Sequence, residues 1–449
     1  MRDHSRHVQL TREECIAALV EASSFSPKVE TVGLHEALGR VSAAECPSKI
    51  DVPNTLCARL DGIAVRYDDF ADGMPDTGSW QLGREFGWAN TGTAMPEGFD
   101  TEIAIEQVVV GEGDRIEVKE APGQRGQLTK PAGSDFKRGE IVVAARTRLT
   151  PARIAALATC GYTEVEVLAK PHVVFIPTGD ELVAMGTPLE EGKTYETNGI
   201  LLEAKLRLWG AEPHVYPCLP DDWDKIKEAL LKAAKEADIV CINAGSSKGS
   251  KDFTMEILEE IGTVYCHETN HGPGHHTSAS SIDGVPVLGL SGPPTGCEIT
   301  ADWYLKPLVD SYLFGAPRGF SKVKARVSEE MVKSLKRPGG PHGSAGKGAG
   351  VQGGRDGKSG KGPEKKAAGA GRPGNAGSGK GGDFFGIKPV HVEFDGGEYK
   401  VSPVGGGKHL ALSQADEANA YLTMARSETA KLATGDVVEV ELRYPYTQM

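Results

Sequence analysis

Apolar and polar positions along this chain follow two periods, and between residues 171 and 316 they alternate in a regular order. A run of β-branched and aromatic residues, His172 to Ile176, has the length of a buried strand and stops at Thr178-Gly179-Asp180-Glu181. Next, Ile200, Leu201, Ala204 and Leu208 fall on one helical face that Gly210 ends, and Pro213 to Cys218 reads as another strand. Asp222 to Glu236 is a helix with apolar Ile226, Leu230 and Ala233, followed by a third strand from Ile239 to Ile242. That strand runs into Gly245-Ser246-Ser247-Lys248-Gly249, ahead of a helix whose core face is Phe253, Ile257 and Ile261. Val285 to Leu290 is a further strand, ending in Ser291-Gly292-Pro293-Pro294 before an apolar helix that reaches about Leu313. Strand, loop and helix in this order predict a parallel α/β sheet with right-handed crossovers, which binds ligands at the carboxyl ends of its strands.

The flanking text differs. Thr11-x-x-Glu14 is a capping box ahead of Ile16, Leu19 and Val20, so an amphipathic helix opens the chain. From Ala43 to about Ala145 short strands with turn residues predict a small β domain: Asp61 to Val65, Glu102 to Val110, and Asp114 to Val118. Thr150-Pro151 starts a helix that Gly161 closes, so the β domain is inserted between helical pieces that pack together. After Pro317 strands return, at Val323 to Val327, Val390 to Phe394, Tyr399 to Val401, Tyr421 to Met424 and Val437 to Leu442. Between them, residues 336–383 hold 18 glycines and ten Lys/Arg against three Asp/Glu in 48 positions. Such a segment buries too little apolar surface to offset its chain entropy, which predicts a disordered, basic insertion.

Composition narrows the classes. The 449 residues suffice for two to four domains, and a formal net charge of −12 argues against a nucleic-acid binder. The eight cysteines (15, 46, 57, 160, 218, 241, 266, 297) form no CxxC pair and read as reduced thiols of a cytoplasmic protein. No apolar run reaches the ~18 residues of a membrane span, so no membrane partner is expected.

Candidate chemistry gathers on carboxylates beside glycine or hydroxyl residues at loops: Asp61, Asp180, Glu181 and Asp252. Carboxylates of this kind hold Mg²⁺ against a phosphate, while Gly/Ser loops donate N–H groups to its oxygens. Asp252 also suits an ordinary helix N-cap, and Asp61-Gly62 an ordinary turn. His267, His271 and His275 are spaced by four, the spacing of a helical metal site, but Gly272-Pro273-Gly274 forbids that helix. A polar loop that handles an anion, or a solvated one, replaces it.

As a set, the motifs resemble those of molybdopterin molybdenumtransferases, the family of MoeA and the E domain of gephyrin. They are Asp51-Val52-Pro53 with Leu60 to Val65, Thr91 to Gly98, Gly133-Ser134-Asp135-Phe136, Arg148 to Pro151, Thr178 to Leu182, Gly245 to Gly249 with Asp252, and Gly289 to Pro294. Seven in order cover nearly everything outside the glycine-rich stretch. The resemblance implies a helical elongated domain (1–45 and 146–170), an inserted β domain (46–145), a molybdopterin-binding α/β domain (171–316) and a C-terminal β barrel (317–449) carrying the insert. It further implies a homodimer whose site joins the α/β domain of one chain to the β domain of the other. The implied reaction is Mg²⁺-dependent insertion of molybdate, or tungstate, into adenylylated molybdopterin, with release of AMP. Asp61, Glu181 and Asp252 match active-site positions and would act in catalysis and hold Mg²⁺. Thr91, Asp135, Thr178, Gly179, Asp180, Asn198, Gly245, Ser246, Ser247, Gly249, Gly292 and Pro293 would bind molybdopterin and its nucleotide. Arg59, Lys248, His275, His276 and Ser413 would receive the oxyanion, and a molybdenum or tungsten enzyme or its chaperone would be the recipient partner.

Departures from the family pattern sharpen the reading. Ala58-Arg59-Leu60 stands where Ser-Ala-Met is usual, and Gly272-Pro273-Gly274-His275-His276 where Lys-Pro-Gly-Lys-Pro is common. Histidine, unlike lysine, loses its charge above ~pH 6.5, so Arg59 or Lys248 is expected to supply the cation. The alternative is a non-catalytic carrier or sensor of molybdopterin, but a binder has no need of three carboxylates.

Overall fold

The computed structural model describes residues 8–244, 253–336, 384–404 and 417–443. The chain divides into two compact units, Ser26–Pro171 with Asp310–Ala316, and the remainder.

The smaller unit has two cores. Strand Val29–Gly33 pairs antiparallel with Glu164–Leu168, and helix Pro151–Thr159 packs Leu157 against Leu34, Leu149, Val165 and Val167. Thr150 caps that helix by accepting the Arg153 N–H at 3.4 Å, the role expected of a threonine before proline. The second core lies under an antiparallel sheet in which Gly62–Val65 runs between Phe86–Ala89 and Thr101–Ala104. Ile63, Val65, Phe86 and Ile103 meet there with Ile116 of the hairpin Val108–Val110/Ile116–Val118.

The larger unit begins with α1 (Arg12–Ala22), whose Thr11–Glu14 capping box forms as expected. Then follow β1 (His172–Ile176), α2 (Asn198–Trp209), β2 (Glu212–Val215), α3 (Trp223–Glu236), β3 (Ile239–Ala244), α4 (Thr254–Ile261), β4 (Thr263–Cys266), β5 (Ser278–Ile282), β6 (Val285–Ser291) and α5 (Pro294–Thr300). The sheet order is β2-β1-β3-β6-β5-β4. The first four strands are parallel, as expected. β5 and β4 are antiparallel at one edge, which corrects the all-parallel expectation. That hairpin hides in the sequence because Ser278-Ala279-Ser280-Ser281 carries no β-branched or aromatic residue, although all four are buried.

α1 also departs from the expected grouping. Residues 1–45 and 146–170 were expected to pack as one domain, and 29–33 with 164–168 do pair, but α1 packs on β4, β5 and β6. Cys15 and Leu19, both fully buried, form its inward face.

The C-terminal strands are β7 (Ser321–Val327), β8 (Phe385–Asp395), β9 (Glu398–Pro403), β10 (Ala420–Ala425) and β11 (Val437–Leu442). They pair in the cycle β7-β9-β8-β10-β11-β7, a closed five-stranded barrel around Ala325, Val390, Val401, Leu422 and Val440. Closure leaves no unpaired strand edge. A buried polar network ties the barrel to the α/β sheet. Lys205 of α2 donates to Asp302 at 2.7 Å, Tyr421 to Asp302 at 2.6 Å, and Arg443 to Glu298 at 2.5 Å. Burial alone would raise the Asp302 carboxyl, but Lys205 and Arg443 hold it below the usual range. Asp302 lies in a wider π turn, Ala301–Leu305, that follows α5. Apart from Lys336, the glycine-rich stretch lies outside the described residues.

Candidate functional site

β1 neighbours β3, while the chain leaving β1 goes first to β2 on the opposite side. The reversal of strand order between β1 and β3 opens a crevice at their carboxyl ends, the position where open α/β sheets take ligands. The Thr178-Gly179-Asp180-Glu181 loop leaves β1 there, and β3 ends beside it at Ala244.

Each residue of the first loop has a distinct task. The Gly179 N–H donates to the Leu219 carbonyl at 3.1 Å, which pins the loop to the segment after β2. Gly179 adopts φ +146°, and an added Cβ would stand 2.8 Å from each Glu181 carboxylate oxygen. Only glycine lets the Glu181 side chain fold back over the loop. Asp180 is structural as well as acidic: its Oδ1 accepts the Asp221 N–H at 3.2 Å, and its carbonyl accepts from Lys193 Nζ at 2.7 Å. Glu181 is exposed. Burial pushes the Cys218 thiol up to about 11, and the carboxylates of Glu196, Glu181 and Asp221 add to the shift. The loop region is therefore acidic, and Cys218 stays a neutral thiol at physiological pH.

At the same end of the sheet an amide chain crosses from one loop to another. Asn198, the first residue of α2, donates from Nδ2 to the Gly292 carbonyl at 2.8 Å and to Asn243 Oδ1 at 3.4 Å. Asn243 Nδ2 donates to the Thr178 carbonyl at 3.4 Å. Both asparagines are buried. Gly292 and Pro293 follow β6 and lead into α5. Thr178, Asn198 and Gly292, three of the residues expected to bind molybdopterin and its nucleotide, are thus linked, Asn198 to Gly292 directly and to Thr178 through Asn243.

In the smaller unit, Asp61 follows a turn at the start of the central strand. Its Oδ1 accepts the Thr91 N–H at 2.8 Å and the Thr91 hydroxyl at 3.0 Å, and these bonds hold the carboxyl below its ordinary value. Fully buried Glu102 lies beneath, accepting the Arg59 N–H at 2.8 Å and the Leu60 N–H at 3.1 Å. Burial raises the Glu102 carboxyl, those two N–H groups lower it, and the charge of Asp61 raises it further. Arg59 and Asp61 are consequently presented by a turn that Glu102 braces. Asp135 pairs with Lys130 Nζ at 2.5 Å.

The histidine loop is not helical, as Gly272-Pro273-Gly274 required. His267 faces Glu259 at 3.0 Å, whereas His271 is buried, 2.5 Å from the Tyr304 hydroxyl. Burial lowers the His271 imidazole to about 4, and Arg12 and His275 push it the same way. His275 and His276 lie side by side, ring centroids 3.7 Å apart, with Glu268 3.9 Å from His276 Nδ1.

Gly245, Ser246, Ser247, Lys248, Gly249, Asp252 and Ser413 lie outside the described residues. Among the described residues no group of three or more His, Cys, Asp or Glu side chains is assembled to hold a metal. No helix of the described residues is long and apolar enough to cross a membrane. Asn243 and Glu102 escaped the sequence reading. Their one signal was a polar side chain inside an apolar strand, Ile239-Val-Cys-Ile-Asn243 and Glu102-Ile-Ala.

Residues 7–161 match a family model described as the MoeA N-terminal region (domain I and II), and residues 174–311 match a probable molybdopterin binding domain. The molybdopterin molybdenumtransferase of Haemophilus influenzae is 30% identical over 311 residues, covering 67% of this chain and 77% of that protein. That of Staphylococcus aureus is 28% identical over 340 residues, covering 72% and 80%. The crystal structure of the molybdopterin biosynthesis MoeA protein from Pyrococcus horikoshii superposes with a TM-score of 0.70 at 25% identity, covering 97% of this chain and 99% of that one.

Proposed function

The chain belongs to the MoeA family of molybdopterin molybdenumtransferases, and from that premise we propose that it inserts molybdate into adenylylated molybdopterin, releasing AMP in molybdenum cofactor biosynthesis. The observation that carries the reading is the β1/β3 switch point, where exposed Glu181 follows β1 and the buried Asn198–Asn243 amide chain links the Thr178 and Gly292 loops. The crevice at such a point suits a flat heterocycle and an anionic phosphoanhydride.

Asp61, Glu181 and Asp252 are assigned to a Mg²⁺ ion. The chemistry of the donors fits: Asp61 is held ionised by Thr91, and ionised carboxylate oxygens are the ligands that this hard cation takes. Bound there, the ion would offset the negative charge of the phosphoanhydride. Gly245, Ser246, Ser247 and Gly249 would hold phosphate oxygens. Arg59 and Lys248 would supply the permanent positive charge for molybdate or tungstate beside His275 and His276, since a histidine, unlike lysine or arginine, loses its charge above ~pH 6.5. The enzyme is assigned as a homodimer in which Asp61 of one protomer serves the Glu181 crevice of its partner. A cytoplasmic setting accords with eight cysteines that are all free thiols.

The test is anaerobic release of AMP from adenylylated molybdopterin with Mg²⁺, with and without molybdate or tungstate. Oxyanion-stimulated release that Asp252→Ala abolishes supports the assignment. Binding of molybdopterin with no stimulated release identifies a carrier instead.

A further inference from the structure

The resemblance counts Asn198 among the residues that would bind molybdopterin and its nucleotide, and its surroundings single out the acceptor oxygen. Both Nδ2 hydrogens are spoken for, by the Gly292 carbonyl at 2.8 Å and by Asn243 Oδ1 at 3.4 Å. A carbonyl can only accept, so the bond to Gly292 fixes which side of the amide is nitrogen. The oxygen is left in a site that is 4% exposed, where no donor among the described residues reaches it. A buried acceptor without a partner is costly, and few survive in a native fold. Apolar leucine has the same branched heavy-atom skeleton and would avoid that cost. Asn198 also sits at the carboxyl edge of the sheet, between the loops that follow β1 and β6, where a ligand of this fold lies.

We propose that Asn198 is a specificity-determining residue: its Oδ1 is reserved for an N–H donor on the heterocycle of the bound pterin, and Asn243 and Gly292 hold the amide in the orientation that presents it. This rests on the molybdopterin reading above and names the residue that would recognise the ring. Pterins carry ring N–H and exocyclic amino donors, whereas their phosphates carry none at neutral pH. The amide thus reads the ring, and the loops read the phosphate.

The experiment measures anaerobic binding of molybdopterin to full-length wild type, Asn198→Leu, Asn198→Asp and Asn243→Leu, with AMP release followed in parallel. Asn198→Leu is expected to weaken binding tenfold or more, with turnover at saturating substrate changed much less, which a general loss of structure would not produce. Asn243→Leu retains the Gly292 bond and is expected to weaken binding by a smaller factor. Asn198→Asp supplies an independent readout. As a carboxylate it cannot donate to the Gly292 carbonyl, but once protonated it offers one O–H donor and one C=O acceptor, like the native amide. Its affinity is therefore expected to recover toward wild type as the pH falls through its pKa. Normal binding by the wild type together with unchanged binding by both Asn198 variants at every pH overturns this assignment alone. Failure of the wild type to bind molybdopterin overturns the functional reading, and this assignment with it.

Discussion

His271 makes the stability of the larger unit depend on pH, with a sign and size that its surroundings set. The imidazole is 1% exposed, bonded to Tyr304, and faced by Arg12 and His275, and its pKa is lowered to about 4 from 6.5. The folded state thus binds fewer protons than the unfolded chain between these values. The contribution is fully present above pH 6.5 and is lost as the pH falls toward 4. The interval is 6.5 − 4 = 2.5 units, worth about 3 kcal/mol at 1.36 kcal/mol per unit. The assay is urea unfolding of wild type and His271→Gln from pH 7.5 to 4.5, read by tryptophan fluorescence, because the Trp303 ring centroid lies 5.1 Å from that of His271. Wild type should lose about 2.5 kcal/mol more than the variant across this range, which stops short of the folded-state value. Parallel curves for the two proteins, or an imidazole that titrates near 6.5 in the folded protein, would refute the reasoning.

Three further outcomes follow from packing, charge and site geometry. Gly62→Ala places a methyl group against the Ile103 carbonyl, 2.9 Å from its carbon, so the central strand must shift. A loss of about 3 kcal/mol is expected in the thermal or urea stability of the smaller unit. Arg443→Leu leaves Glu298 and Asp302 with a buried charge deficit, and about 3–5 kcal/mol should be lost in urea unfolding, with part regained when Glu298→Leu is added. Thr91→Val removes the hydroxyl bond to Asp61 and keeps the backbone one. The Asp61 carboxyl should then titrate higher by NMR, still below its ordinary value.

Much of the α/β region was legible because its strands are apolar runs that end in turn residues. β1 and the Thr178–Glu181 loop, α3 with its Asp222 cap at 3.0 Å, and β3 fall where the sequence places them. β5 did not, because its serines are buried by tertiary packing that no local propensity reports. Closure of the barrel rests on the pairing of β8 with β10, and a contact at that separation leaves no periodic trace. The same applies within the site. Glu181 and Asp61 were visible beside glycine, but Asn243 gained its meaning only when α2 and the Gly292 loop were brought to it. Asp135 was visible as a motif residue, yet its pairing with Lys130 was not. Glu102 was read as part of a strand, and its two N–H partners lie more than 40 residues away.

The most direct test of the proposed site is complementation between two inactive variants. Asp61→Ala and Glu181→Ala are each expected to abolish molybdate-stimulated AMP release. If every site combines Asp61 of one protomer with Glu181 of its partner, a mixed dimer rebuilds one of its two sites. Random co-assembly should then restore roughly a quarter of wild-type release. Absence of any recovery in mixtures shown to contain the mixed dimer, or full activity in either variant alone, would contradict the account.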